Sequence, residues 1–169
     1  GVVLRGEAAL KAVSSTRSSL TARLDVAGNT ATAQGEWAHG DAGRSDQWDI
    51  DVSAPQLARM APLRALVDVP TSWVAPRGAF EASLKLQGRW PQLRAQGSMK
   101  TDGLRMAEAS VTRGQANWSF GPATDSPFEL SLDLTDARWN QQHAHSLTLN
   151  LLGTSRAHTL ELRTALGVA

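Results

Sequence analysis

With 169 residues and no cysteine, the chain is long enough for one domain with a core, and disulfides and cysteine-ligated metal centres are excluded. Seventeen basic and sixteen acidic residues leave a net charge of +1, interspersed along the chain, which excludes a nucleic-acid footprint and a polybasic tract for a membrane surface. No apolar run approaches the ~18 residues of a membrane-spanning helix.

Residues 2–12 read as a first strand, with Leu4, Ala8, Leu10 and Ala12 in phase. Residues 20–26 set Leu20, Ala22, Leu24 and Val26 against Thr21, Arg23 and Asp25. Successive side chains of a strand point to opposite faces, so this alternation predicts one apolar and one polar side. Gly28-Asn29 signals a tight turn. A weaker strand over 30–37 has Ala31, Ala33, Gly35 and Trp37 in phase. Gly40-Asp41-Ala42-Gly43 turns the chain, and 47–53 returns it with Trp48, Ile50 and Val52 opposite Gln47, Asp49 and Asp51.

The pattern changes at 55–67, where Leu57, Met60, Leu63 and Leu66 fall at helical spacing behind Pro55, a favoured helix start. Pro62 lacks a donor and is expected to kink this helix or split it into two short ones, whose apolar residues would partly plug a groove or simply pack at one end of it. Pro70 and Pro76 frame a loop holding Trp73.

Strands resume with Phe80, Ala82, Leu84 and Leu86 opposite Glu81, Ser83, Lys85 and Gln87. A shorter strand follows Trp90-Pro91, a turn is expected at Thr101-Asp102-Gly103, and a separate short strand over 104–107 begins with Leu104. Ala116, Trp118 and Phe120 share the next phase. Two strictly alternating segments organise the chain: FELSLDL, with Phe128, Leu130, Leu132 and Leu134, and HSLTLNL, with Leu147, Leu149 and Leu151. The last strand sets His158, Leu160 and Leu162 opposite Thr159, Glu161 and Arg163.

These features predict an all-β antiparallel meander with one kinked helix, its strands at intervals of about 8–12 residues, for which a closed sandwich or barrel is the default. If the elongated sheet curls without meeting itself, it encloses an apolar interior groove. The in-phase aliphatics and aromatics named above, Leu104 among them, are the expected lining. Burying one Leu, Val or Phe is worth about 1.5–3 kcal/mol, so roughly twenty wet side chains would outweigh the roughly 5–15 kcal/mol net stability of a domain. The apolar side must therefore be covered, by the sheet itself, by the helix or by apolar guests.

His143 and His145 share a strand face at a spacing found in metal sites, but no third ligand is indicated nearby, so no metal is assigned. His158 reads as a histidine at the groove margin with a backbone partner. Asp49 with Asp51 and Glu129 with Asp133 are placed together by alternation alone and read as a solvated face. No GxSxG, glycine-rich phosphate loop or HExxH is present, so no catalytic residue, cofactor or enzymatic activity is assigned. Of the six tryptophans, Trp37, Trp48 and Trp118 fall in the apolar phase, whereas Trp73, Trp90 and Trp139 are expected at groove edges.

Gly88-Arg89-Trp90-Pro91-Gln92-Leu93-Arg94-Ala95-Gln96-Gly97 resembles a glycine, proline, leucine and glycine phrase of the TamB family, with Ala95 near a position that often holds glycine. GTSRAHTLEL, from Gly153 to Leu162, resembles that family's G-T-x-x-x-H-x-L-x-L strand. The order of Gly35-Glu36-Trp37, the 57–66 helix and the 80–86 strand is also similar. The resemblance spans most of the chain. It implies a β-taco half-pipe belonging to an inner-membrane-anchored protein that crosses the periplasm, within the AsmA-like group of bridge-like lipid transporters. It also implies an outer-membrane, BamA-type barrel partner, TamA, and roles in phospholipid movement and outer-membrane assembly.

The chain begins at Gly1 and ends in mid-pattern, and is expected to be one segment, 1–169, of a longer protein that contacts membranes through other regions. The expected function is passive: acyl chains of phospholipid lie along the leucine-rich side between the inner and outer membranes. Two alternatives differ in kind. One is a chaperone-like module that holds nascent barrel strands by β-augmentation, and the other is a closed, structural β-sandwich.

Overall fold

Sustained period-two alternation becomes strand throughout the chain. The computed structural model describes residues 3–39, 45–66, 76–89, 92–123 and 125–167, apart from the side chains of 62–66. Its strands are β1 (Leu4–Ser14), β2 (Arg17–Val26), β3 (Asn29–Ala38), β4 (Asp46–Ala54), β5 (Arg77–Arg89), β6 (Gln92–Met106), β7 (Ala109–Phe120), β8 (Phe128–Trp139), β9 (Gln142–Gly153) and β10 (His158–Leu166). They form one ten-stranded sheet in simple sequence order. Every neighbouring pair is antiparallel.

β1 and β10 are the two edges, so the sheet is not closed. No second sheet faces it among the described residues, which is not the architecture of a β-sandwich. The connections explain the order. β2 and β3 are joined by Ala27 and Gly28 at φ 54 and 85, and left-handed conformations at both central positions match the twist of a two-residue hairpin. Links as short as this, also found between β1 and β2, β6 and β7, and β8 and β9, leave those strands no choice but to pair, whereas β4 and β5 pair across the 55–76 segment.

Three expectations are corrected. The helix expected over 55–67 is a 3-10 helix over Leu57–Leu66. Pro62 lacks the N–H for an α bond and its ring excludes the carbonyl four residues back, so the α pattern cannot run through the segment. Thr101-Asp102-Gly103 is not a turn, because β6 runs through it for 15 residues and takes in both the "shorter" strand and the separate strand expected at 104. Gly103 at φ 58 and a register shift between Arg77 and Ala79 absorb the turn-like sequence as a bulge. The predicted turn at 40–43, Trp73 and Trp90 lie outside the described residues.

Deep burial is scarce. Val26, Ala54 and Ala116 are the buried hydrophobic residues among those described, and no large side chain is fully buried. Val26, Ala54 and the buried Asn29 meet where the chain leaves β4 for the 3-10 helix. The Asn29 amide donates to the carbonyls of Val26 and Gln56, both at 3.1 Å, and its oxygen accepts from the Gln56 amide at 3.1 Å. This clasp ties the start of the helical segment to the β2–β3 turn, and the helix itself rests on β5.

Candidate functional site

Register decides which of the in-phase residues become neighbours. From β1 to β10, one ladder reads Ala8, Ala22, Ala33, Ile50, Leu84, Gly97, Trp118, Leu130, Leu151 and Leu160. The next reads Gly6, Leu24, Ala31, Val52, Ala82, Met99, Ala116, Leu132, Leu149 and Leu162. On either side, Leu20, Trp48, Leu86, Phe120 and Phe128 fall in one flanking ladder, and Val26, Phe80, Leu134 and Leu147 in the other. One face of the sheet is thus apolar from edge to edge.

Leu104 stands apart from this set. It pairs with Val111, beyond the bulge at Gly103, and is out of phase with Met99 and Thr101. Leu57 and Met60 are half-buried in the 3-10 helix at the end of the sheet, whereas the side chains of Leu63 and Leu66 are outside the described residues.

The apolar face is only half covered. Most of its leucines are partly accessible, and towards the β10 edge Leu160 and Leu162 are 59% and 58% exposed. The whole chain exposes 11707 Å². A compact monomer of 18.1 kDa exposes about 8,000 Å², so this single layer keeps nearly half as much again.

Aromatics smooth the surface. Trp48 lies over Gly35, where an added Cβ would come within 2.3 Å of the indole, and Trp118 lies over Gly97, where it would come within 2.5 Å. Trp37 and Trp48 stack with centroids 6.0 Å apart and planes 6° apart. Trp139, expected at an edge, is exposed at the end of β8. His158 makes a ring contact with Phe128 at 6.4 Å, an aromatic partner that sequence phase did not single out.

The opposite face is polar in the same ordered way. Glu7, Arg23, Thr32, Asp51, Ser83, Ser98, Asn117, Ser131, Asn150 and Glu161 form one ladder across it. Unlike charges stand opposite each other at Arg5 and Asp25 and at Glu81 and Lys100, a cross-strand arrangement that favours this register. Lys85 Nζ lies 3.9 Å from Asp49, and Asp133 accepts from Thr148 Oγ1 at 2.9 Å. The carboxylates Asp49 and Asp133 thus have solvated, ordinary partners. Shallow depressions lie on this polar side, one of about 560 Å³ being lined by Glu81, Lys100, Asp102, Arg113 and Asp133. The apolar side is a broad surface flanked by two open edges.

One grouping was missed for want of long-range information. β8 brings Asp136 to His143 and His145, the third donor that the sequence did not indicate. Nothing in the spacing of residue 136 from 143 and 145 marks it, because the meeting depends on how the hairpin closes. Compared with models of known protein families, with curated proteins and with solved structures, the chain matches none.

Proposed function

We propose that the apolar face binds the acyl chains of phospholipid and guides them along the sheet, as one segment of a periplasmic conduit between the inner and outer membranes. The observation that carries this reading is the uninterrupted apolar ladder, half accessible across ten strands and continuing to both edges. Contiguous apolar surface of this extent is rare on a self-sufficient monomer and marks a surface that meets something greasy. A hydrocarbon tail suits it better than a drug-sized ligand, since the face offers a long aliphatic strip with few polar groups to fix one orientation. In this reading the sheet curls around its guests to form the half-pipe, headgroups stay at the open side, and no reaction is catalysed. The TamB resemblance in the 88–97 and 153–162 phrases supports the same assignment, with TamA as barrel partner of the longer protein.

Photo-crosslinkers at Leu132 and Leu149, on the apolar ladder, are expected to capture phospholipid from cells or vesicles. Crosslinkers at Ser131 and Thr148, on the polar side of the same strands, are the controls. Equal labelling of both sets would sink the proposal.

A second reading rests on the edges. Every residue of β1 and of β10 is exposed, and each edge presents unpaired backbone donors and acceptors on its outer side. A chaperone-like role for nascent outer-membrane strands would use these edges by β-augmentation. Capture of unfolded barrel segments at Leu10 or Leu162, without lipid at Leu132, would favour it.

A further inference from the structure

His143 and His145 lie two residues apart on β9, with ring centroids 4.5 Å apart. Each directs a ring nitrogen at one carboxylate oxygen across the hairpin: His143 Nε2 is 3.5 Å and His145 Nδ1 is 3.4 Å from Asp136 Oδ1. One donor atom from each residue lies within 4.8 Å of the others. Both contacts are long beside the about 2.7–3.2 Å of an N–H···O bond. They match the spacing of ligands on a tetrahedral zinc ion, about 3.3 Å apart for metal–ligand bonds of about 2.0–2.1 Å.

The backbone supplies an independent observation. Asp136 sits at φ 49 within β8, between Thr135, which faces Ser146, and Ala137, which faces Ala144, so the unbroken register sets it opposite His145. β10 shifts register between Ala165 and Leu166, beside His145. Irregularities of this kind re-aim side chains and recur next to functional sites. His143 Nε2 is moreover buried without a hydrogen-bond partner among the described residues, and it points into the cluster.

The outer edges of the rings are enclosed at Gly167, whose amide donates to the His143 carbonyl at 3.0 Å. A Cβ there would fall 2.7 Å from His143 Nδ1 and 3.0 Å from His145 Nε2, so a side chain at this position would have to displace the rings. The His145 side chain is 61% exposed, which leaves the cluster open to solvent on one side.

We propose that Asp136, His143 and His145 bind a divalent transition-metal ion of the zinc type, with its remaining coordination position open to water. Two imidazoles and one carboxylate suit zinc, cobalt, nickel or copper, whereas calcium and magnesium take sets made up of oxygen ligands. An ion there would link β8 to β9 at the end of the sheet where β10 departs from its register.

The test is calorimetric titration of the tag-free 169-residue chain with zinc chloride, together with the visible spectrum after addition of cobalt(II). One ion per chain is expected, with the intense cobalt bands of a four-coordinate site and no displacement by magnesium. His143→Ala and Asp136→Asn are expected to weaken binding by at least ~10–100-fold, the loss that even supporting residues around a metal cause. Circular dichroism checks that the variants keep the sheet, and His145→Ala removes an exposed ring with least risk to folding. Absence of stoichiometric binding, zinc affinity unchanged in the His143→Ala, His145→Ala double variant, or equal competition by magnesium would overturn the proposal.

Discussion

Gly97 shows how one residue keeps the apolar face continuous. It occupies the position between Leu84 and Trp118 in the ladder, and the indole of Trp118 covers the space that a side chain would take. An added Cβ would also fall 2.5 Å from the Ser83 carbonyl oxygen, which is backbone and cannot swing away. Gly97→Ala is therefore expected to destabilise the chain by about 1–3 kcal/mol, the usual effect of forcing extra volume into a packed contact. The midpoint of urea unfolding measures this, and an unchanged midpoint would show that the indole is not seated on the glycine. The sequence placed Trp118 on the apolar side but could not reveal its glycine seat, because a cross-strand neighbour is a matter of register.

Among the elements, β6 is the most instructive. Asp102-Gly103 carries the composition of a turn, yet the strand continues through it because β5 and β7 supply partners on both sides. Gly103 takes the left-handed conformation within the bulge, and Gly78 on β5 meets it so closely that a Cβ there would lie 2.5 Å from the Gly103 carbonyl oxygen. Local composition was legible there; its outcome was set by neighbours. The same logic predicts a gradient of stability across the sheet. Strands β5–β8 are bonded on both sides, while β1 and β10 are bonded on one side and exposed along their whole length. Amide hydrogen exchange is expected to be slowest in β6 and β7 and fastest in β1 and β10, since local opening is easiest where contacts are fewest. Uniform protection in all ten strands would mean that the edges are covered in solution.

For the whole molecule, the balance of surfaces sets the behaviour. A single layer with one apolar side has the large accessible area noted above and little sealed interior, so much of its apolar side stays wet and is open to a partner. If acyl chains are that partner, charge on the apolar side must interfere far more than charge on the other. Leu132→Asp and Leu149→Asp are each expected to reduce phospholipid retained in native mass spectrometry at least ~10-fold, since burying an unpaired carboxylate against hydrocarbon costs several kcal/mol. Ser131→Asp, on the opposite face of the same strand, is expected to leave retention unchanged. A similar loss from Ser131→Asp would separate lipid retention from this face.

By itself the sequence determined the all-β class, nearly every strand, and which residues of each strand share a side, because alternation is a local property written into consecutive positions. The half-pipe shape and the phospholipid guest rest on the TamB-like phrases, and lipid capture at Leu132 and Leu149 tests them. Only the tertiary structure decided that the sheet stays open with β1 and β10 as free edges, that β6 is continuous, that Pro62 sits in a 3-10 helix, and that Asp136 meets His143 and His145. Those outcomes depend on register, closure and bulges, which arise between segments distant along the chain and leave no periodic trace within any one of them.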